Sequence, residues 1–108
     1  MQIIENEDDN YYIIKIFGDV DAASSITLDK AIEEAVEKKQ QKILIDCGHL
    51  NYISSAGLGV FMSYIEDFKE KGTYFALYGL NEKVKNVFEI LGLDKLLLIF
   101  DSKEEAKQ

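Results

Sequence analysis

From a core strand into its longest helix the chain runs Ile43-Leu44-Ile45-Asp46-Cys47-Gly48-His49-Leu50-Asn51-Tyr52-Ile53-Ser54-Ser55-Ala56-Gly57-Leu58-Gly59-Val60. Ile43, Leu44 and Ile45 predict a short core strand, and Asp46-Cys47-Gly48-His49 reads as a turn after it. Two serines then stand where an irregular turn passes into a helix. From Ser55 to Lys71 that helix is marked by Leu58, Phe61, Met62, Ile65 and Phe68 at helical spacing. Gly72 sits where a C′ residue often takes positive φ. A core strand feeding a helix in this way is half of a β-α-β unit, so the remaining elements are sought on either side.

Upstream, Leu28, Ile32, Ala35 and Val36 share one face of a predicted helix over Ser25 to Lys39. Tyr11 to Phe17 is apolar at nearly every position and predicts a strand buried on both faces, ended by Gly18. Asp8-Asp9-Asn10 reads as a hairpin turn behind a first strand opened by Ile3-Ile4. Downstream, Thr73 to Tyr78 is a strand. Asn81 caps a third helix facing inward through Val84, Val87, Phe88 and Leu91, and Gly92 closes it. Leu96 to Phe100 is the last strand, and Ser102-Lys103-Glu104-Glu105 starts a short terminal helix with a capping box. The order β-β-α-β-α-β-α-β-α implies crossover connections. The expected fold class is therefore α/β, with a mixed, mostly parallel sheet, an N-terminal antiparallel hairpin, and about four helices covering its faces. With 108 residues, no proline, no repeat and no linker-like tract, residues 1–108 are expected to form one domain.

Composition narrows the function. Acidic residues number 20 against 12 basic, a net charge of −8, which disfavours direct nucleic-acid binding and contact with anionic lipid. The longest apolar runs, such as Leu96 to Phe100, are too short to span a bilayer, so no membrane insertion is expected. Met1-Gln2-Ile3-Ile4-Glu5 lacks the basic and apolar regions of a secretory signal. One cysteine cannot form an internal disulfide. The expectation is a cytoplasmic protein.

Enzyme chemistry finds little to work with. His49 is the sole histidine and Cys47 the sole thiol, so no His-Cys metal cluster can be assembled. Cys47 is expected to be a small buried residue and His49 a turn residue. Gly57-Leu58-Gly59 begins like a dinucleotide fingerprint, but Met62 occupies the third glycine position and no phosphate-loop Lys-Ser/Thr pair follows. No catalytic residue, cofactor or metal is expected. The serine pair admits two uses. A serine at a helix start can cap it by accepting a free backbone N–H. It can also carry a phosphate, which free N–H groups and the positive helix end stabilise. Each of the two glycines costs about 1 kcal/mol against alanine in a helix, which suggests that the backbone there is kept open for close approach.

With the upstream Gly18-Asp19-Val20-Asp21, the segment from Ile43 to Val60 resembles the two motifs of STAS domains, specifically those of bacterial anti-sigma-factor antagonists. The order of strands and helices agrees with that family along essentially the whole chain. The resemblance implies a partner-switching module. The unphosphorylated antagonist binds an anti-sigma factor that is also a GHKL-type serine kinase; phosphorylation releases it, and a serine phosphatase restores it. Carried over, the phosphoacceptor is Ser55, with Asp19, Asp21, Ser54, Ala56, Gly57, Leu58 and Gly59 as its neighbours and partner-binding residues. The family's aspartate before the acceptor is Ser54 here, which can cap but brings no charge, and which becomes a rival acceptor.

Two other readings accompany this one. A STAS domain can also serve as the regulatory subunit of a transporter or larger signalling complex. From a different class, an aspartyl-phosphate receiver domain is α/β and of similar length: Asp46 would end a strand, and Asp19 with Asp21 could hold magnesium. Against it, no lysine ends the last strand, since Asp101 follows Phe100.

Overall fold

The computed structural model describes residues 1–107, folded around one five-stranded sheet. Strands β1 (Gln2–Asp8) and β2 (Tyr11–Val20) form an antiparallel hairpin, and β3 (Lys42–Ile53), β4 (Tyr74–Tyr78) and β5 (Leu98–Phe100) follow in parallel with β2. The hairpin turns through Asp9 and Asn10, whose φ angles of 52° and 69° suit the two-residue turn that matches strand twist. Helices α1 (Ser25–Glu37), α2 (Ser55–Lys71) and α3 (Glu82–Ile90) connect the parallel strands, and α4 (Lys103–Ala106) ends the described chain.

Strand order equals chain order, β1-β2-β3-β4-β5. Crossovers of one hand that always step in one direction put every crossover helix on the same side. Accordingly α1, α2 and α3 share one core with the sheet face carrying Tyr12, Ile14, Ile16, Ile43, Ile45 and Leu77. The expectation of helices on both faces needs this refinement. The other face, built on Tyr11, Ile13, Leu44, Ala76 and Tyr78, is covered by short α4 through Ala106. Aromatic contacts tie the helical side together: Phe61 of α2 lies 6.2 Å from Phe75 and 6.5 Å from Phe88, and Phe68 lies 5.0 Å from Phe75. Phe61 and Phe88 are fully buried, and truncating such a ring commonly costs about 3–5 kcal/mol.

Several boundaries differ from the local signals. Strand β2 continues past Gly18 to Val20, and β3 runs for 12 residues instead of turning at Asp46. The segment from Asp46 to His49 stays extended because its backbone groups are taken up by β2. The mismatch is absorbed by register shifts between Lys15 and Phe17 and between Gly18 and Asp19. His49 is therefore a strand residue, its ring stacked 4.9 Å from Phe17. Cys47 is fully buried, as its type suggested. Helix α1 stops at Glu37, and Lys39 takes the left-handed φ of 58° usually left to glycine. A 3-10 turn at Leu93–Lys95 shortens the last strand, and Leu91 lies 57 % exposed at the end of α3 rather than in the core.

Candidate functional site

Beyond Asp46, β3 has no β4 partner and runs on with β2 alone, so the two strands extend as a ribbon toward the start of α2. At its end Asp19 pairs with Tyr52 and Val20 with Ile53. The Ser54 N–H then donates to the Val20 carbonyl at 2.8 Å. That bond fixes the serine pair beside the Gly18–Asp21 segment, so the two sequence motifs meet in space.

The two serines have separate jobs. Ser54 is the N-cap of α2, with extended backbone, and its Oγ accepts from the Gly57 N–H at 3.2 Å. Its carbonyl accepts the first helical bond, from Leu58 N–H at 3.0 Å. Ser55 is the first helical residue. It is exposed, and its hydroxyl makes no hydrogen bond among the described residues. Ser54 is half-buried and engaged, whereas Ser55 is presented to solvent at the positive end of a 17-residue helix.

The glycines also part company. A Cβ on Gly57 would fall 2.7 Å from Ile53 Cγ1 and 2.8 Å from Val20 Cγ1, so the absent side chain is what lets α2 seat on the strand ends. Gly57 and Leu58 are buried and shape the site from beneath. Gly59 has nothing within 4 Å of its would-be Cβ and is exposed, as is Ala56. These two, with Val60 and Ser63, form one wall of a shallow groove of about 310 Å³ against Ser25, Ile26 and Asp29 of α1. Ile26 is 62 % exposed at its edge and Tyr52 is 47 % exposed on β3. Neither was singled out in the sequence, although Ile26 is an apolar residue standing off the Leu28-Ile32-Ala35 face of its helix. Tyr64 donates to Asp29 Oδ1 at 2.7 Å and locks the two helices together.

Asp21 turns out to be occupied locally. Its Oδ1 accepts from the Ser24 N–H at 2.8 Å and the Ser24 hydroxyl at 2.9 Å, and its own N–H donates back to Ser24 Oγ at 2.9 Å. Those bonds, the backbone one foremost, hold its carboxyl below the usual aspartate range. This reciprocal box shapes the entry to α1. Asp19 is exposed, and no hydrogen bond or ion pair among the described residues joins either aspartate to Ser55. The receiver-type arrangement fails. Asp46 lies within β3, where its carboxylate accepts from Gly48 N–H at 2.9 Å and sits 3.9 Å from Lys15. Among the described residues no group of three His, Cys, Asp or Glu side chains could hold a metal, and no helix is long and apolar enough to cross a membrane.

The α/β domain thus presents an exposed serine, its hydroxyl unengaged, at a capped helix start beside a shallow groove. The chain belongs to the STAS domain family, whose model matches residues 2–106. The anti-sigma-B factor antagonist of Listeria monocytogenes serovar 1/2a is 28 % identical over 96 residues, 89 % of this chain and 84 % of that protein. The crystal structure of TM1081 from Thermotoga maritima superposes with a TM-score of 0.89 at 26 % identity, covering 96 % of this chain and 90 % of the other. The Bacillus cell fate determinant SpoIIAA in its phosphorylated form shares the fold at 18 % identity, with a TM-score of 0.73 over 97 % of this chain and 96 % of that one.

Proposed function

We propose that this chain is an anti-sigma-factor antagonist working by partner switching in the cytoplasm. Unphosphorylated, it binds an anti-sigma factor that is also a GHKL-type serine kinase; phosphorylated on Ser55 it lets go, and a serine phosphatase resets it. Its role is binding rather than catalysis. The observation that carries this reading is the division of labour at the helix start, where Ser54 is spent as the cap and Ser55 is exposed with an unengaged hydroxyl. The relatives' names supply the partner class. A fold of this kind also accommodates the modification, since SpoIIAA in its phosphorylated form retains it.

Incubation with the cognate kinase and ATP, followed by intact-mass analysis and peptide mapping, tests the assignment. Ser55→Ala should abolish incorporation. Ser54→Ala should only slow it, because loss of the cap loosens the first turn without removing the acceptor. Phosphate mapped to Ser54 in the wild-type chain would overturn it.

A further inference from the structure

Two adjoining grooves open at the far end of α2. One, of about 360 Å³, lies between the C-terminal ends of α1 and α2 over Val36 and Phe68. The other, of about 350 Å³, lies between α2 and the beginnings of β4 and β5, over Phe68, Phe75 and Leu97. They share Phe68 and Thr73, so together they wrap the helix end as one surface. Leu96 and Leu98 stand 57 % and 49 % exposed along it. Helices rise about 1.5 Å per residue, which puts Lys69 about 20 Å along the axis from Ser55. A partner seated here leaves Ser55 uncovered.

Charge says what kind of partner fits. The chain as a whole carries 20 acidic residues against 12 basic, yet no acidic residue lines either groove. Lys39 and Lys71 line the first, Lys69 and Lys95 the second. Lys71 is paired with Asp67 at 3.0 Å, whereas Lys39, Lys69 and Lys95 form no ion pair among the described residues. Lysine stems can cover an apolar floor while their ammonium groups stay wet at the rim. An apolar floor with a cationic rim, on a surface of opposite overall sign, selects for acidic segments with apolar anchors and orients their approach.

We propose that this surface docks a segment of a partner protein in which large apolar side chains are flanked by aspartate or glutamate, independently of the Ser55 switch. The test is selection of a random displayed peptide library on the wild-type chain, then titration of enriched peptides into wild type, K69E/K95E and S55E. Enriched sequences should pair apolar residues with acids, bind K69E/K95E at least about tenfold more weakly, and bind S55E as they bind wild type. Circular dichroism checks that each variant is folded, and the neutral K69A/K95A pair should show an intermediate loss. Enrichment of neutral or basic peptides, indifference to charge reversal, or loss of binding in S55E would each overturn the proposal. So would phosphatidylglycerol vesicles binding the wild type and releasing K69E/K95E when no peptide does, which would make the surface a lipid contact.

Discussion

The two glycines near the start of α2 look equivalent in the sequence but should respond oppositely to alanine. At Gly57 the new methyl clashes with both Ile53 and Val20, and overpacking of that kind costs about 1–3 kcal/mol, set against a helix-propensity gain of about 1. At Gly59 the methyl meets nothing within 4 Å, so only the gain of roughly 0.5–1 kcal/mol remains. Gly57→Ala should lower the melting temperature and Gly59→Ala should raise it, the latter while weakening partner binding. Thermal melts of the two variants side by side suffice; stabilisation by Gly57→Ala would show that the contact is soft. Asp21 presents a similar choice between structure and recognition. Its Oδ1 holds Ser24 through two hydrogen bonds, so Asp21→Ala should destabilise the domain, while Asp21→Asn, which keeps an acceptor oxygen, should melt close to wild type. A phosphorylation rate that falls in Asp21→Asn at unchanged melting temperature would then mark a contact with the proposed kinase. Equal melting of all three proteins would mean the box contributes nothing.

Helix α4 is only four residues long, far below the length at which helices persist alone, so it stays in place through what it touches. Ala106 is buried against the open face of the sheet, and its carbonyl accepts from the Tyr74 hydroxyl at 2.6 Å. Lys103 and Lys107 reach Asp8 at 2.7 Å and 3.1 Å, and Lys107 reaches Asp9 at 3.0 Å, clipping the chain's end to the first hairpin. The Lys103 hydrogen bond, followed by that from Lys107, holds the Asp8 carboxyl below its ordinary range. A carboxylate with a lowered folded pKa contributes in full above its unfolded value, near about 3.9. That contribution is lost as pH falls through the folded value. Amide-exchange protection at Ala106 and Lys107 should therefore persist at neutral pH and fade below about pH 4, ahead of the central strands. Added salt should weaken it at neutral pH, because these pairs are partly exposed. Protection at Ala106 unchanged through that range would show that apolar burial and the Tyr74 hydrogen bond seat the helix without the ion pairs.

Across the whole molecule, phosphorylation at Ser55 should change binding and leave the fold intact. The site is exposed and lies at a helix N-terminus, where added negative charge is worth about 0.3–1 kcal/mol in the folded state's favour. A partner docked over Ala56 and Gly59 must instead bury roughly 1.5 to 2 extra negative charges. Even about 3 kcal/mol of that cost is a hundredfold in affinity. Ser55→Glu, an imperfect mimic of the phosphate, should thus melt within a few degrees of wild type yet lose most affinity for the proposed kinase partner; full-affinity binding by a verified Ser55-phosphorylated sample in calorimetric titration would refute the switch. Much of this design is written locally. The order of elements, the caps at Asn81 and Ser102 and the left-handed Gly72 follow from periodicity and turn chemistry, because those depend on residues within a few positions of one another, and the burial of Cys47 follows from its residue type. What sequence could not decide depends on long-range pairing. The turn expected at Asp46 became strand because β2 supplied a ladder, and Gly57 is tied to Val20, 37 positions away. Likewise Ser54 and Ser55 are chemically identical, and only the direction in which the ribbon delivers them to α2 makes one the cap and leaves the other free.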